Sequence, residues 1–428
     1  MNRSVGEFLK KNIVTIVFTI LCIFSILCSG QSASFVISET ISRISRNAVL
    51  ILALLMPVLC GMGLNFSIVL GAAAGQIGLI LVTHWNIGGL AGVTICVVIA
   101  SLLSVVLGFF AGAVFNRTVG QEMITGMIIG YFAKGVLDLV FLKLFGKIIP
   151  MDNPTLILSG GVGLKNTIEL NENMKYVLDR VLQMPLLDFA LWGMIGLILV
   201  SAVTLVVKTC IKKETFKNAL RKSKNLLIAS GCVAIGYICM LFIPTFLTAA
   251  CTIQVPVFTA FIIFLVCLLN TYISKTKLGQ DIRTCGNNMT VASASGVMVA
   301  RTRIIATIIS TVVASWGQII YLQNMGLVNT YTSHEQVGTY AVAALLVGGA
   351  SIKKATIGQV FLGALLFHIL FFTMPLAGLH LFSDAQIGEY FRVFISYGVI
   401  AVSLALYAWN QAADRKKSLR EISGKKGK

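Results

Sequence analysis

Apolar runs of about 20 residues follow one another along the chain, and this pattern constrains the fold more than any other feature. A run of that length crosses the ~30 Å hydrocarbon core of a bilayer as a helix. Only 12% of the residues are charged, whereas 57% are hydrophobic. A soluble protein of this composition could not cover its surface with polar groups, because soluble domains carry about 25% charged residues. The pattern predicts an all-α polytopic integral membrane protein.

Twelve apolar runs can be counted, and two of them, Ala48–Met62 and Gly338–Gly349, are too short to cross a bilayer independently. We therefore predict about 10–12 transmembrane helices, including broken or half helices. The first run has no nearby small-residue cleavage site, so we expect a retained helix rather than a signal peptide. The other ten runs are Ile13–Ser29, Ser67–Thr83, Ile87–Phe115, Glu122–Leu144, Asp188–Val207, Asn225–Phe246, Thr252–Ser274, Ile304–Gln323, Thr356–Met374 and Glu389–Asn410.

The basic residues are distributed unevenly between the two sides of the predicted membrane. With the N-terminus placed inside, the inside segments carry 25 Lys and Arg and the outside segments carry six. Since cytoplasmic loops collect Lys and Arg, we predict that both termini are cytoplasmic. Topology thus explains the net charge of +18, which does not indicate nucleic-acid binding. The basic loop 208–224 and the tail are expected to face anionic lipid.

The runs divide the chain into five predicted regions, with the longest outside connection near the middle. The regions are an N-terminal transmembrane half (1–144) with a broken helix at 61–67, an external insert (145–187), an additional helix pair (188–252) with the basic loop 208–224, a C-terminal transmembrane half (253–412) with a long inside loop (275–303), and a basic tail (413–428).

Glycine-rich breaks interrupt the apolar runs at Gly61–Ser67 and at Gly348–Ser351. Irregular backbone at membrane depth must be buried in protein or line a watery cavity. Paired breaks in the two halves of a transporter indicate a translocation path. Close helix packing through small residues is the alternative explanation for the glycines. The residues expected to line a path for a polar solute are Asn65, Phe66, Ser67, Gln76 and Gln318.

Among the charged residues of the predicted spans, Glu122, Lys134 and Asp138 qualify as intramembrane charges, which are functional candidates by default. Lys134 and Asp138 are spaced i, i+4 and can pair on one helical face, while Glu122 lies near the inner boundary, within reach of water. Ion-driven carriers usually display unpaired mid-membrane carboxylates, so this pattern argues against self-powered transport. The sequence also lacks a phosphate-binding loop and a metal-ligand cluster, so we predict no enzyme activity, metal or cofactor.

The inside loop contains the elements of a short surface helix. Asn288 can cap such a helix and Gly296 can end it. A compact helix that is exposed to the cytosol and rich in small residues suits docking into a groove on a partner. A simple interfacial connector is the alternative interpretation.

Residues Leu278–Val297 resemble the cytoplasmic coupling loop of the membrane subunits of bacterial ABC importers, of the ribose and simple-sugar permease type. The motif residues are Leu278, Gly279, Ile282, Gly286, Asn288, Ser295 and Gly296. The stretch Thr339–Gly349 is similar to the family's apolar segment ending in Gly-Gly, and Gly63–Ser67 to its Gly-Ile-Asp-Leu-Ser break. The chain departs from the family pattern at Met289 and at Asn65, where the family has acidic residues, and residues 145–252 have no clear counterpart.

The resemblance implies a multi-pass permease subunit in the bacterial cytoplasmic membrane that moves a small polar solute, such as a simple sugar. It implies cytoplasmic ABC ATPase subunits, an extracytoplasmic solute-binding protein and a second permease copy or sister permease as partners. Alternatives are a nucleoside permease of the same superfamily, an ion-coupled secondary transporter and, from another class, a membrane enzyme acting on lipid-linked substrates. The residues that the resemblance assigns to ATPase coupling are Gly279, Gly286, Asn288, Ser295, Gly296 and Val297.

Overall fold

The computed structural model describes residues 13–151, 153–206, 209, 224–352, 354–394, 397–398, 400–402 and 405. Within these residues the chain is mostly helical, and the predicted all-α polytopic class is confirmed. Five described helices are long and apolar enough to cross a membrane, and a bent helix pair makes up to six. Nearly all of the predicted basic loop 208–224 and the whole tail 413–428 lie outside the described residues.

The helices follow the predicted apolar runs closely, since hydropathy is a local property of the chain. They are α1 (Ile13–Cys28), α2 (Ala33–Leu52), α3 (Leu55–Leu59), α4 (Ile68–His84), α5 (Gly89–Arg117), α6 (Glu122–Leu139, continued by a π turn at Val140–Leu144), α7 (Val177–Val181), α8 (Leu186–Val206), α9 (Lys224–Phe242), α10 (Pro244–Thr252), α11 (Val257–Lys275), α12 (Lys277–Asn287), α13 (Met289–Ala294), α14 (Val299–Met325), α15 (Glu335–Val347) and α16 (Ile357–Phe382). A further helical stretch covers 385–394. Four short strands accompany them: β1 (Thr167–Glu169), β2 (Gln183–Pro185), β3 (Gln254–Pro256) and β4 (Leu327–Asn329).

Of the two runs that are too short to cross independently, Gly338–Gly349 lies mostly in α15, which has 13 residues. The other, Ala48–Met62, is divided between the end of α2, a helix of 20 residues that begins before the run, and α3, which has 5 residues. Both α3 and α15 are followed by a glycine-rich break, at Gly61–Ser67 and from Gly348 on, as the sequence indicated. Both helices are therefore held in place by protein neighbours rather than by lipid alone.

The chain divides into two compact units. The first consists of residues 1–30, 43–178 and 261–428, and it contains all the candidate site residues. The second consists of residues 31–42 and 179–260. In the second unit, β2 pairs antiparallel with β3, and the Thr259 hydroxyl lies 2.6 Å from Asp179 Oδ1.

The centre of the first unit is α14, which packs against α4 and α5. Small residues allow this close approach: a Cβ added at Gly71 would lie 2.2 Å from the Thr311 carbonyl oxygen, and one at Gly108 would lie 2.2 Å from Thr311 Oγ1. The Thr311 hydroxyl donates to the Ser104 carbonyl on α5 at 3.0 Å. Gly71 thus serves the close packing of α4 on α14, as small residues do in helix contacts within a membrane.

Candidate functional site

The break between α3 and α4 is built around Asn65. Gly61 and Gly63, which follow α3, adopt φ angles of +76° and +70°. Glycine takes this left-handed backbone conformation without steric cost. Asn65 Oδ1 accepts hydrogen bonds from the backbone N–H of Ser67 at 3.0 Å and from its hydroxyl at 2.6 Å. Asn65 Nδ2 donates to the Ser310 hydroxyl on α14 at 3.4 Å. Both Asn65 and Ser67 are buried, so their side chains shape the break and anchor it to α14.

Gln76 and Gln318, two of the predicted path residues, hold the segment that leads into α15. Gln76 Nε2 donates to the Thr330 carbonyl at 2.6 Å, and its Oε1 lies 3.0 Å from His334 Nδ1. Gln318 Nε2 donates to the Ser333 carbonyl at 3.3 Å. Both glutamines are fully buried. They satisfy backbone groups of an irregular segment inside the protein, which a membrane structure requires.

Phe66 lines a cavity of about 520 Å³. Its neighbours come from α4, α6, α15 and the last described residues, and Gly338 allows the Phe66 backbone to approach α15 closely. The other lining residues are Val69, Met127, Gly130, Tyr131, Glu335, Gln336, Thr339, Tyr397, Ile400 and Ala401. Of the five predicted path residues, Phe66 alone lies on the wall of this cavity.

The ion pair expected between Lys134 and Asp138 is replaced by another. Lys134 Nζ lies 2.5 Å from Glu335 Oε2, at the N-terminus of α15. Asp138 stands one turn further along α6, and its buried Oδ1 has no hydrogen-bond partner among the residues that the structure describes. The i, i+4 spacing allowed a local pair, but the acidic first turn of α15 lies closer to the lysine. Glu335 carries a role that sequence reasoning did not assign to it.

The predicted surface helix is present in the long loop. Asn288 Oδ1 accepts from the N–H groups of Thr290 at 2.9 Å and Val291 at 3.2 Å, and α13 follows it directly. Gly296, with φ +81°, ends the turn after α13. The Ser295 hydroxyl bonds back to the Val291 carbonyl at 2.9 Å, and Val291 is 55% exposed. The outer face of α13 therefore presents small and apolar side chains.

The inner face of the loop packs tightly on the broken segment. A Cβ at Gly286 would lie 2.1 Å from the Leu59 carbonyl oxygen, so only glycine fits here. A Cβ at Gly279 would lie 2.2 Å from the Ile273 carbonyl oxygen. Val297 packs against the same core cluster as Cys285, and burial raises the pKa of the Cys285 thiol. The predicted coupling residues thus divide into two groups: Gly279, Gly286 and Val297 serve packing, whereas Asn288, Ser295 and Gly296 shape the exposed helix.

A buried arginine connects this loop to the membrane helices. Arg303, in the first turns of α14, is 1% exposed, and its Nη2 lies 2.5 Å from Glu122 Oε1 and 3.1 Å from the Phe115 carbonyl. Its Nη1 lies 3.4 Å from Met289 Sδ, at the start of α13. Glu122 Oε2 also accepts from the Gly120 N–H at 2.9 Å. Glu122 is therefore buried and paired, where exposure to water was expected.

Sequence reasoning missed Arg303 because it counted the residue among the basic residues of the loop. One signal was available: Arg303 directly precedes the apolar run that begins at Ile304, so a helix that starts a turn before the run would include it.

The insert folds onto the segment that precedes α15. Strand β1 pairs antiparallel with β4 in the register Thr167↔Asn329. The Thr330 N–H donates to the Asn166 carbonyl at 2.8 Å, and the Tyr331 hydroxyl donates to the Leu164 carbonyl at 2.7 Å. The insert and the two buried glutamines thus bind the same short segment, which leads into α15.

The sequence was compared with those of known protein families. The profile of a family described as the permease component of branched-chain amino acid transport systems matches residues 192–404, about half of the chain. The chain belongs to this permease family. It is a multi-pass protein of the cytoplasmic membrane, as predicted. The match begins at residue 192, so the expectation that the whole of 145–252 lacks a family counterpart is wrong for 192–252.

A curated relative is the autoinducer 2 import system permease protein LsrC of Enterobacter sp. (strain 638). The two sequences are 34% identical over 106 residues, which is 24% of this chain. The matched segment spans only 30% of that relative's length. No solved structure matches the chain. The matched range 192–404 contains α12 and α13, so the family likeness covers the loop described above.

Proposed function

We propose that the chain is the membrane-spanning permease subunit of an ATP-binding-cassette importer. It moves a small polar solute, a simple sugar, across the cytoplasmic membrane, and separate ATPase subunits supply the energy. An extracytoplasmic binding protein delivers the solute, and a second permease completes the pathway. The observation that carries this proposal is α13: a capped helix whose outer face is exposed and whose inner face is packed on the broken helix.

The loop is built to transmit movement. The exposed face of α13 docks into a groove on the ATPase, as short helices do in partner grooves. Because Gly286 touches the Leu59 backbone, a displacement of the loop must displace the break before α4. Because Met289 contacts Arg303, and Arg303 binds both Glu122 and the Phe115 carbonyl, the same displacement reaches α5, α6 and α14. Packed elements of this kind move as units rather than deform.

The Phe66 cavity is the proposed section of the solute path within this chain. It lies next to the break, and Glu335, the partner of Lys134 at the start of α15, is one of its lining residues. Movement of the break relative to α15 would change the width of the cavity, because Phe66 and Gly338 are in close contact there. The polar groups of Glu335, Gln336 and Thr339 offer hydrogen bonds to a hydroxylated solute.

The test is isolation of the chain from its native membrane in mild detergent, followed by identification of stoichiometric companions. We expect an ABC ATPase to copurify with the wild-type chain and to be lost from Val291→Arg, which places a charge on the exposed face of α13. Val119→Arg is the matched control: Val119 is 57% exposed but lies in the turn between α5 and α6. An ATPase retained equally by both variants would refute docking through α13.

A second test measures coupling rather than assembly. Replacing Asn288 and Ser295 with leucine should leave the chain in the membrane but separate ATP hydrolysis from uptake. The cap and the back-bonded hydroxyl hold the shape of α13, and leucine can supply neither hydrogen bond. Wild-type uptake by this double variant would contradict the proposed mechanism.

An ion-coupled carrier is the second candidate, and one observation favours it. Within the described part of the chain, the buried Oδ1 of Asp138 has no hydrogen-bond partner, and it lies one turn from Lys134. Ionisable groups of this kind mark proton relays in pumps and transporters. The discriminating measurement is solute uptake in ATP-replete vesicles with a protonophore: uptake that persists supports the importer, and uptake that is abolished supports the carrier.

A further inference from the structure

A cavity of about 220 Å³, separate from the Phe66 cavity, lies where the long inside loop meets the first break. Residues of α3, the last turns of α11, α12 and the beginning of α16 line it. Its two basic residues are Lys275, which ends α11, and Arg283 on α12, and no carboxylate lies among its described lining residues. The proposed function makes no use of this cavity.

The apolar and the polar parts of the wall come from different helices. Leu55, Met56 and Leu59 are the contribution of α3, whereas α11 contributes only polar side chains, Ser274 and Lys275 among them. Since α11 is long and apolar enough to cross a membrane, its last residues lie at the membrane surface, on the side predicted to be cytoplasmic. A ligand at this level meets an apolar wall and hydrogen-bond donors together.

The donors of the wall are not engaged by other residues that the structure describes. The side chains of Lys275 and Arg283 are exposed, and neither forms an ion pair or a hydrogen bond within the described ranges. The same holds for the Ser274 hydroxyl. Asp281 precedes Arg283 by two positions on α12, a spacing that does not bring two helical side chains together, and it does not line the cavity. An anion in the cavity would therefore meet two cationic groups and a hydroxyl.

Membrane topology accounts for single basic residues at this level but not for their convergence. Lys277 lies on the same loop, is exposed and does not line the cavity, as expected of a residue that only holds the orientation of the chain. Lys275 and Arg283 come from two helices and line one cavity. Basic pockets between membrane helices on the cytoplasmic side bind anionic headgroups. A guanidinium fork matches two oxygens of a phosphate, and an ammonium group acts as a point charge beside it.

We propose that this cavity binds a phosphate group and that an anionic phospholipid of the cytoplasmic leaflet supplies it. The phosphate accepts hydrogen bonds from Lys275, Arg283 and Ser274, and the ester and first acyl carbons of the lipid lie against Met56 and Leu59. The apolar wall and the position at the end of α11 favour a lipid over free phosphate, which gains nothing from apolar contact. The proposal does not rest on the proposed function, because it concerns binding by this chain alone.

The test follows thermal unfolding of the purified full chain in micelles of a neutral detergent, with dioctanoyl phosphatidylglycerol as the probe. A ligand that binds only the folded chain raises the unfolding temperature, so we expect a saturable rise. Dioctanoyl phosphatidylcholine should have a much smaller effect, because its choline group cancels the charge of the phosphate. Lys275→Gln and Arg283→Gln should each weaken the apparent affinity about fivefold, the share of one basic residue at a membrane surface, and the double variant about 25-fold.

Lys277→Gln is the matched control, because it removes the same charge from the same loop outside the cavity and should leave the affinity unchanged. The unfolding temperature without lipid shows whether each variant folds. Should Arg283→Gln fail to fold, Arg283→Lys keeps the charge but lacks the planar fork, and it should still weaken binding. Equal losses in Lys275→Gln and Lys277→Gln would indicate diffuse surface charge and overturn the proposal, as would an unchanged affinity in the double variant.

A further arm distinguishes the two sources of phosphate. Inorganic phosphate is compared with chloride at equal ionic strength, without the anionic lipid, and we expect no saturable stabilisation. Saturable stabilisation by inorganic phosphate that Arg283→Gln abolishes would retain the phosphate site and overturn the lipid as its source.

Discussion

Arg303 and Glu122 lie 181 positions apart in the chain and form an ion pair of 2.5 Å that is almost completely buried. The pair joins the beginnings of α14 and α6, and Met289 of the exposed loop touches it. Removing one partner would leave an uncompensated charge in the interior, which costs about 3–5 kcal/mol.

We expect Glu122→Met and Arg303→Met each to lower the thermal unfolding midpoint strongly, because each leaves one buried charge unpaired. The double variant should recover most of the lost stability, since apolar residues of similar volume often replace a buried pair without loss. Differential scanning fluorimetry of the detergent-purified chain measures both effects. Additive losses in the double variant would show that the two residues do not depend on each other.

Gly286 is expected to tolerate no side chain. Gly286→Ala would place a methyl group 2.1 Å from the Leu59 carbonyl oxygen, so the loop must move away from the break. We expect lower stability of the chain and, in the assembled importer, ATP hydrolysis that no longer drives uptake. Gly358→Ala is the control, because that helical glycine has open space around its Cβ position. Equal behaviour of the two variants would exclude the tight contact.

Gln76 should control the mobility of the segment that leads into α15. Gln76→Leu leaves the Thr330 carbonyl and His334 without their partner, at a cost of about 1–3 kcal/mol for a buried unpaired group. Amide hydrogen exchange in residues 330–338 should accelerate about fivefold or more. Exposed Gln121→Leu serves as the control, and unchanged exchange in Gln76→Leu would contradict the assignment.

The predicted membrane orientation can be tested with cysteine labelling. Cys251 is exposed and lies in a predicted outside connection, whereas Ser295 lies on the predicted cytoplasmic loop. A membrane-impermeant maleimide should label Cys251 in intact cells, and it should label Ser295→Cys in a Cys251→Ser background only after the membrane is opened. Cys285 should stay unlabelled in both cases, because it is 1% exposed and burial raises its pKa, which depletes the reactive thiolate. The reverse labelling pattern would show that the chain has the opposite orientation in the membrane.

The sequence predicted those features that depend on neighbouring residues. The helix bounds follow hydropathy, and the Asn288 cap and the Gly296 turn follow from residues within nine positions of each other. The Asn65–Ser67 pair is equally local, although its side chains proved to shape the break rather than to face the cavity.

The long-range pairs could not be predicted in the same way. Lys134 had a local partner available at the right spacing, and its choice of Glu335 depends on how α6 and α15 pack. The count of basic residues assigned Arg303 to a loop. Its pairing with Glu122 depends instead on how α5, α6 and α14 pack together. Arg43 and Arg392 line one cavity although they lie 349 positions apart, so no window of sequence contains it.

The pairing of β1 with β4 has a consequence for how the chain enters the membrane. With 13 residues, α15 is too short to be recognised as a span on its own during synthesis. Its leading segment is bound by β1, which is translated some 160 residues earlier and which the predicted topology places on the outer side of the membrane. The insert can thus act as an internal template that captures the emerging segment and sets the depth of α15, so that one part of the protein assists the biogenesis of another.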